Sequence, residues 1–101
     1  MMLKHIVMWK LKDHAEGADK ISNARKLKAL LETCDKLVPG MLKLEVALAA
    51  ADLEATYDVL LYTEFSDKKA LDAYQDHPTH QALKPFIGAV RSERQCMDYE
   101  V

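Results

Sequence analysis

The chain has 101 residues, a length that favours one domain and excludes architectures such as a TIM barrel, which need about 250 residues. Half of the residues are hydrophobic and 30% are charged, a balance typical of a folded globular protein and not of a disordered one. The formal net charge is only −2 and the basic residues do not cluster, so the composition speaks against a nucleic-acid partner.

The cysteines and the hydropathy pattern bear on the cellular location. Cys34 and Cys96 lie far apart in the sequence, and no signal for export is recognisable. We therefore expect two reduced thiols in a cytoplasmic protein. No apolar run approaches the roughly 18 residues of a membrane span, so no membrane partner is expected.

The hydrophobic pattern predicts strands and helices in the order βαββαβ. Alternation with branched and aromatic residues predicts the strands, and apolar residues at steps of three and four predict the first helix. Pro39-Gly40 ends that helix, and Ser66 is the expected N-cap of the second. The predicted elements are a strand over 4–12, a helix over 18–37, strands over 41–49 and 57–65, a helix over 67–75, a helix from Pro78 that Pro85 interrupts, and a strand over 94–101.

This order predicts an α+β fold, a ferredoxin-like antiparallel sheet with helices on one face. The other face of such a sheet is normally polar. Here the first strand places Ile6 and Met8 on that face, and the third strand adds Leu60 and Tyr62. The simplest cover is a second copy of the chain, packed sheet against sheet, which predicts a homodimer; scattered surface apolar residues are the alternative. In the second strand, the predicted core-facing residues are Leu42, Leu44, Val46 and Leu48.

A tyrosine and a histidine flank the corner between the predicted C-terminal helices. A histidine titrates near neutrality and can remove a proton next to a carbonyl group. A tyrosine hydroxyl can stabilise the oxyanion that develops. Tyr74 and His80 are therefore candidate catalytic residues. The structural alternative is that His80 bonds to a backbone group while Tyr74 fills the core.

Other histidines and the one tryptophan are candidates for ligand contact. His5 shares a strand face with Trp9, where a histidine is usually a hydrogen-bonded core residue, and Trp9 can line a cavity or fill the core. Together His5, His77 and His80 offer three nitrogen ligands for a metal, but Pro78 restricts the geometry and no cysteine or carboxylate completes the set. We expect His77 to be a helix cap or a turn residue, with Asp76 as the alternative cap, and we expect no metal and no cofactor.

Four segments resemble the stress-responsive A/B barrel (Dabb) domain family, over essentially the whole chain. They are MLKHIVMWKLKD over 2–13, VPG over 38–40, DVLLYTEFSDKKALDAYQDHPTHQAL over 58–83 and DYEV over 98–101. The resemblance implies a single domain over 1–101 that pairs through its sheet into a dimeric α+β barrel. The most specific features are Lys4-His5, the segment Tyr74…His77-Pro78-x-His80, and Asp98-Tyr99.

The resemblance also implies an activity. One plant member closes the ring of a linear polyketide with a His–Tyr pair in a cleft between sheet and helices. His80 and Tyr74 match that pair, and His5 matches a histidine of the cleft wall. That member has a further histidine near its third strand, where this chain has Tyr57, so its substrate is not expected here.

We therefore expect a small, mostly apolar carbonyl compound in the cleft, with cyclase- or isomerase-like acid–base chemistry by His80 and Tyr74. His5 and Trp9 would form part of the wall. Two alternatives stay open. One is a non-catalytic stress-related protein that acts through a stable oligomeric assembly, and the other is a cofactor-free monooxygenase-like enzyme.

Overall fold

A four-stranded antiparallel sheet with helices packed on one face forms the protein, as a computed structural model of residues 2–101 shows. The strands lie in the order β4-β5-β1-β6, which confirms the predicted ferredoxin-like fold. A short hairpin of β2 and β3 is added before the first helix. The elements are β1 (Leu3–Leu11), β2 (His14–Ala15), β3 (Ala18–Asp19), α1 (Lys20–Glu32), β4 (Met41–Leu48), β5 (Val59–Phe65), α2 (Lys68–Asp76), α3 (Pro78–Gln81), α4 (Lys84–Val90) and β6 (Arg91–Glu100).

The first helix is shorter than the sequence predicts at both ends. Residues 18–19 pair with 14–15 as the β2–β3 hairpin, and the Asp19 side chain caps α1 by accepting from the backbone N–H of Ser22 at 2.8 Å. The helix ends at Glu32, although Cys34 beyond it is fully buried. Lys36 then adopts a left-handed conformation with φ of 57°, which cannot continue a helix.

The other boundaries differ by fewer residues. Asp67, not Ser66, caps α2, since its carboxylate accepts from the backbone N–H of Ala70 at 2.9 Å. The chain breaks between α3 and α4, and Pro85 occupies the first turn of α4, where a missing N–H costs nothing. The last strand begins at Arg91, earlier than predicted.

One predicted core residue faces solvent because of a β-bulge. Met41 pairs with Phe65 while Lys43 pairs with Glu64, so Leu42 is the extra residue of its strand. It is 55% exposed. The prediction that Leu42 faces the core was therefore wrong, although Val46 on the same strand is buried.

The core lies between the sheet and the helices. Alternate residues of β1 and β5 are buried on this face, from Leu3 to Leu11 and from Val59 to Phe65. They pack on Leu27 and Leu31 of α1 and on residues of α2. Burial of apolar side chains at about 25 cal/mol per Å² is the main force that holds the two layers together.

No helix of residues 2–101 packs on the opposite side of the sheet, and we call its apolar strip the open face. It consists of Ile6, Met8, Leu60, Tyr62 and Met97. Ile6 pairs with Tyr62 on one side and with Met97 on the other, so these residues adjoin. Met97 is 66% exposed. The two-sided apolar pattern expected for β1 and β5 is therefore present in the fold.

Within residues 2–101, no helix is long and apolar enough to cross a membrane.

Gly40 lies where the turn before β4 touches α2, and we expect it to be the glycine least tolerant of alanine. Its φ is 88°, and an added Cβ would lie 2.6 Å from Ser66 Oγ and 2.8 Å from the Ala70 Cβ. Gly40→Ala should lower the free energy of unfolding by about 2–4 kcal/mol, because strain and overlap add. Denaturant titration followed by circular dichroism measures the change.

The other two glycines are matched controls. Gly17 has φ of 74° but open space around a Cβ, so Gly17→Ala should cost about 1–2 kcal/mol from conformation alone. Gly88 lies in α4 with nothing within 4 Å, so Gly88→Ala should stabilise by about 0.5–1 kcal/mol. A Gly40→Ala protein as stable as the Gly17→Ala protein would contradict the proposed overlap.

Candidate functional site

A cavity of about 420 Å³ opens between the sheet and the helices, over β1 and β6. This volume is within the range of small-molecule sites. Its floor is formed by the sheet and its walls by α1, α2, α3 and α4. The lining residues are His5, Val7, Trp9, Leu31, Leu61, Gln75, His80, Lys84, Ile87, Gly88, Arg91 and Arg94. Three of the four predicted site residues thus meet in one place.

His5 reaches the cavity from the centre of the sheet. It pairs with Asp98 across β1 and β6, and its Nδ1 lies 2.5 Å from Asp98 Oδ1. Thr63 on the other side donates its hydroxyl to the His5 carbonyl at 2.9 Å. The imidazole is buried and oriented by the carboxylate, which leaves Nε2 as the nitrogen available to a bound molecule.

His80 reaches the same cavity from α3. His77 caps this short helix, because its Nδ1 accepts from the Thr79 N–H at 3.1 Å, and Pro78 occupies the first helical position. Of the roles predicted for His77, the structure shows the helix cap, and Asp76 is not the cap. His80 is partly buried, and among the described residues its Nδ1 has no hydrogen-bond partner.

The surroundings of His80 favour its neutral form. Burial lowers its pKa below the ordinary value, and the positive charges of Lys84 and Arg94 and the nearby His5 lower it further. The Gln75 carbonyl acts in the opposite direction. His80 is therefore a neutral imidazole at neutral pH, able to accept a proton.

Tyr74 lies behind His80 and does not line the cavity. The two ring centroids are 4.7 Å apart at an interplanar angle of 57°, and the Phe65 ring also packs on Tyr74, with their centroids 5.3 Å apart. The Tyr74 side chain is fully buried, and burial raises the pKa of its hydroxyl, with a contribution from Cys34. No partner for this hydroxyl is found among residues 2–101.

Trp9 forms part of the cavity floor. It is 3% exposed, and its backbone carbonyl accepts from the Asp58 N–H at 2.9 Å, which fixes β1 against the start of β5. Its indole Nε1 has no hydrogen-bond partner in the part of the chain described. Buried polar atoms are normally paired, so Trp9 and His80 present unused hydrogen-bonding groups close to the cavity.

The charged residues of this site are not predicted by the sequence pattern. Asp98, Lys84, Arg91 and Arg94 lie on segments that no local pattern connects with His5 or His80. Only the pairing of β6 with β1 brings Asp98, Arg94 and Arg91 to this place. The motif Asp98-Tyr99 was noticed, but its spacing alone gives no contact with His5.

Within residues 2–101, no three His, Cys, Asp or Glu side chains are arranged to hold a metal ion.

A second hollow of about 470 Å³ lies beside the open face, under residues 49–58. It is lined mainly by alanine and leucine side chains with Met8 and Tyr57, and it contains no histidine. The cavity with two imidazoles is therefore the better candidate for chemistry.

Comparison with known proteins identifies the family. A model of the stress responsive A/B barrel domain matches residues 3–101. The chain belongs to this family, abbreviated Dabb. No curated protein matches the sequence.

Solved structures resemble this Dabb chain over its whole length. A dimeric protein of unknown function with a ferredoxin-like fold from Bacteroides fragilis is 31% identical, with a TM-score of 0.83 over 99% of this chain and 96% of that one. A dimeric ferredoxin-like protein of unknown function from Jannaschia sp. is 29% identical, with a TM-score of 0.75 and complete coverage of both chains. SnoaB, a cofactor-independent oxygenase from Streptomyces nogalater, is 11% identical, with a TM-score of 0.74 over 99% and 92% of the two chains, and shares the fold.

We expect the His80 imidazole to titrate below the ordinary histidine pKa of about 6.5. A native state that resists protonation loses stability, relative to the unfolded chain, as the pH falls below that value. Lys84→Gln should move the His80 pKa upward, because it removes a nearby positive charge. An NMR titration of the histidine ring protons measures the His80 pKa in the wild-type protein and in Lys84→Gln, with Lys28→Gln on α1 as the control. Denaturant titration at pH values below about 6.5 measures the loss of stability. A His80 pKa at or above the ordinary value would contradict the assigned environment.

Proposed function

We propose that this Dabb protein binds a small, mostly apolar carbonyl compound in the cavity and performs acid–base chemistry on it. The observation that carries the proposal is the meeting of His5 and His80 in a cavity of about 420 Å³ with an apolar floor that includes Trp9. Ligand sites are typically apolar hollows with a few polar groups that fix orientation, which is the composition found here.

His80 is the proposed base. A neutral imidazole can take the proton from the carbon next to the carbonyl group. The C–H bond breaks, its electron pair forms the enolate, and the proton moves to His80, which returns it at another position in an isomerisation or after ring closure. The positive charges of Lys84 and Arg94, which act on His80, also favour the enolate oxyanion.

His5 and Tyr74 support this step in different ways. Asp98 fixes the His5 ring, so that its Nε2 can accept a hydrogen bond from a bound molecule in a defined direction. Tyr74 is proposed as a positioning residue, since its ring packs on the His80 ring from behind. The sequence also predicts direct contact of the Tyr74 hydroxyl with substrate. Such contact would require this enclosed side chain to move, and the Tyr74→Phe variant tests it.

We further propose that two copies pair through the open face. Apolar residues of β1, β5 and β6 adjoin on this face, and a second sheet would remove them from water. The two relatives from Bacteroides fragilis and Jannaschia are dimeric, which supports the same assembly here. The cytoplasmic location expected from the two thiols stays a prediction.

The alternatives from the sequence make different demands. A non-catalytic assembly protein has no need of a ligand in the cavity, so binding measurements separate it from the proposed function. A cofactor-free oxygenase consumes oxygen with its substrate, and the oxygenase from Streptomyces nogalater supports that candidate only through a shared fold.

Aromatic ketones are suitable first probes. We expect the wild-type protein to bind para-methylacetophenone and to accelerate deuterium exchange at the methyl group next to its carbonyl. Trp9, the only tryptophan, reports binding through its fluorescence. His80→Gln should lower the exchange rate about 100-fold or more, the usual contribution of a general base, with little loss of binding. Proton NMR in deuterated water measures the exchange.

Two variants serve as controls for the site. Gly88→Leu should block binding, because a side chain at Gly88 would extend into the cavity, while the melting temperature stays close to that of Gly88→Ala. Tyr74→Phe removes an unpartnered hydroxyl, so the exchange rate and the His80 pKa should be retained with stability equal or slightly higher. Failure of all aromatic ketones to bind would overturn the proposed function, and loss of exchange in Tyr74→Phe would assign the hydroxyl to the chemistry.

The dimer is tested with two exposed apolar residues on opposite sides of the sheet. Met97 is 66% exposed on the open face, and Ile21 is 63% exposed on α1. Met97→Asp should convert the dimer into a monomer at micromolar concentration, because it places a charge in the apolar contact. Ile21→Asp should leave the dimer intact. Light scattering gives the mass, and a wild-type monomer would refute pairing through this face.

A further inference from the structure

The cavity has a cationic side next to its apolar floor, formed by Lys84 of α4 and by Arg91 and Arg94 of β6. All three line the cavity and are exposed at its mouth. The cavity lining described within residues 2–101 contains no carboxylate. The whole chain has a net charge of −2, so a local cluster of three positive side chains is not expected from the composition.

A β-bulge places both arginines on the same face. Trp9 pairs with Arg94 and Lys10 with Glu93, whereas Leu11 pairs with Arg91, so Ser92 is the extra residue of β6. In a regular strand, residues 91 and 94 would point to opposite faces, since side chains alternate. The bulge turns Arg91 towards the cavity side that Arg94 already faces. Bulges commonly redirect a side chain near a site.

These cations are not engaged in the ion pairs found within residues 2–101. Those pairs involve His5 and three other lysines: Lys10, Lys20 and Lys68. Glu93, the acidic neighbour of Arg94 in sequence, pairs on the other face with Lys10 at 3.5 Å. Asp98 is held by His5. The guanidinium groups therefore keep their donors for a bound molecule.

We propose that the ligand carries an anionic group, a carboxylate or phosphate, which binds to Arg91, Arg94 and Lys84 while its apolar body lies on Trp9 and Leu61. This inference rests on the proposed function and narrows the class of substrate to an apolar carbonyl compound with an acidic end. Arginine suits the role, because its planar group binds carboxylate or phosphate through paired hydrogen bonds. The cationic side lies away from the open face, so the proposed dimer leaves it accessible.

The experiment compares para-substituted benzene probes that differ in whether they carry a carbonyl group and in whether they carry a carboxylate, a phosphate or no anionic group. Binding of para-acetylbenzoate, para-methylacetophenone, para-toluate and para-tolyl phosphate is followed by Trp9 fluorescence in low salt. The acetylbenzoate should bind at least about tenfold more tightly than the neutral ketone, because charge-assisted hydrogen bonds are roughly twice as strong as neutral ones. The advantage should shrink as added salt screens the charges. Toluate against tolyl phosphate tells which anion the site prefers.

Variants connect the preference to the arginines. Arg91→Gln and Arg94→Gln should each reduce the advantage of the acid over the neutral ketone, and the double variant should abolish it. Arg25→Gln, which removes an exposed arginine of α1 outside the cavity lining, should leave it unchanged.

Equal affinity for the acid and the ketone, or an advantage that survives in the double variant, would overturn the anion site while leaving the proposed function standing. Arginine-dependent binding of toluate without binding of either ketone would support the anion site and refute the carbonyl function. Failure of all four probes would overturn both.

Discussion

The central position of β1, hydrogen-bonded on both edges, is the constraint on which the rest of the structure depends. It pairs with β5 on one side and β6 on the other, and its alternate residues point to two different environments. His5 and Trp9 face the helices, whereas Ile6 and Met8 face away from them. Because side chains alternate strictly along a strand, one register sets both the cavity floor and the open face. A shift by a single residue would exchange the two.

The helices complete the site because they stop short of covering β6. Arg94, Cys96 and Asp98 lie opposite Trp9, Val7 and His5 on the helix side of the sheet, yet all three remain exposed. The cavity lies over β1 beside them, and Arg94 is one of its lining residues. Arg91 and Arg94 of this edge strand therefore line the cavity, as does His80, whose ring packs on the buried ring of Tyr74, itself packed on Phe65. The lining combines apolar side chains such as Trp9 and Leu61 with charged groups, and it is therefore suited to an apolar molecule with a polar end.

Polar atoms left without partners concentrate around this cavity. In the part of the chain described, the buried side-chain atoms without a hydrogen bond are Trp9 Nε1, Tyr74 OH and His80 Nδ1. Each costs stability, about 1–3 kcal/mol for a neutral group, unless something else satisfies it. Elsewhere the buried polar groups are paired, as with Asn23, whose amide donates to the Ala15 and Ala18 carbonyls. Local departures from good packing chemistry of this kind are typical of functional sites.

The order of the elements, the fold and the two-sided character of β1 and β5 could be predicted from the sequence, since these follow from periodicity among neighbouring residues. The sequence also indicated His5, Trp9, Tyr74 and His80, partly from their chemistry and partly from the family resemblance. It did not place Tyr74 behind His80, because the direction of a side chain at a helix corner depends on what packs against it.

Only the tertiary structure brought Asp98 to His5, residues separated by 93 positions, and only strand pairing produced the bulges at Leu42 and Ser92. A bulge arises when two strands must match hydrogen bonds over their whole length, and the alternation within one strand carries no sign of it. Leu42 was expected in the core for this reason. The positive side of the cavity could not be predicted for the same reason. Arg91 pairs with Leu11 and Arg94 pairs with Trp9, and the two arginines share a face only because Ser92 is an extra residue between them.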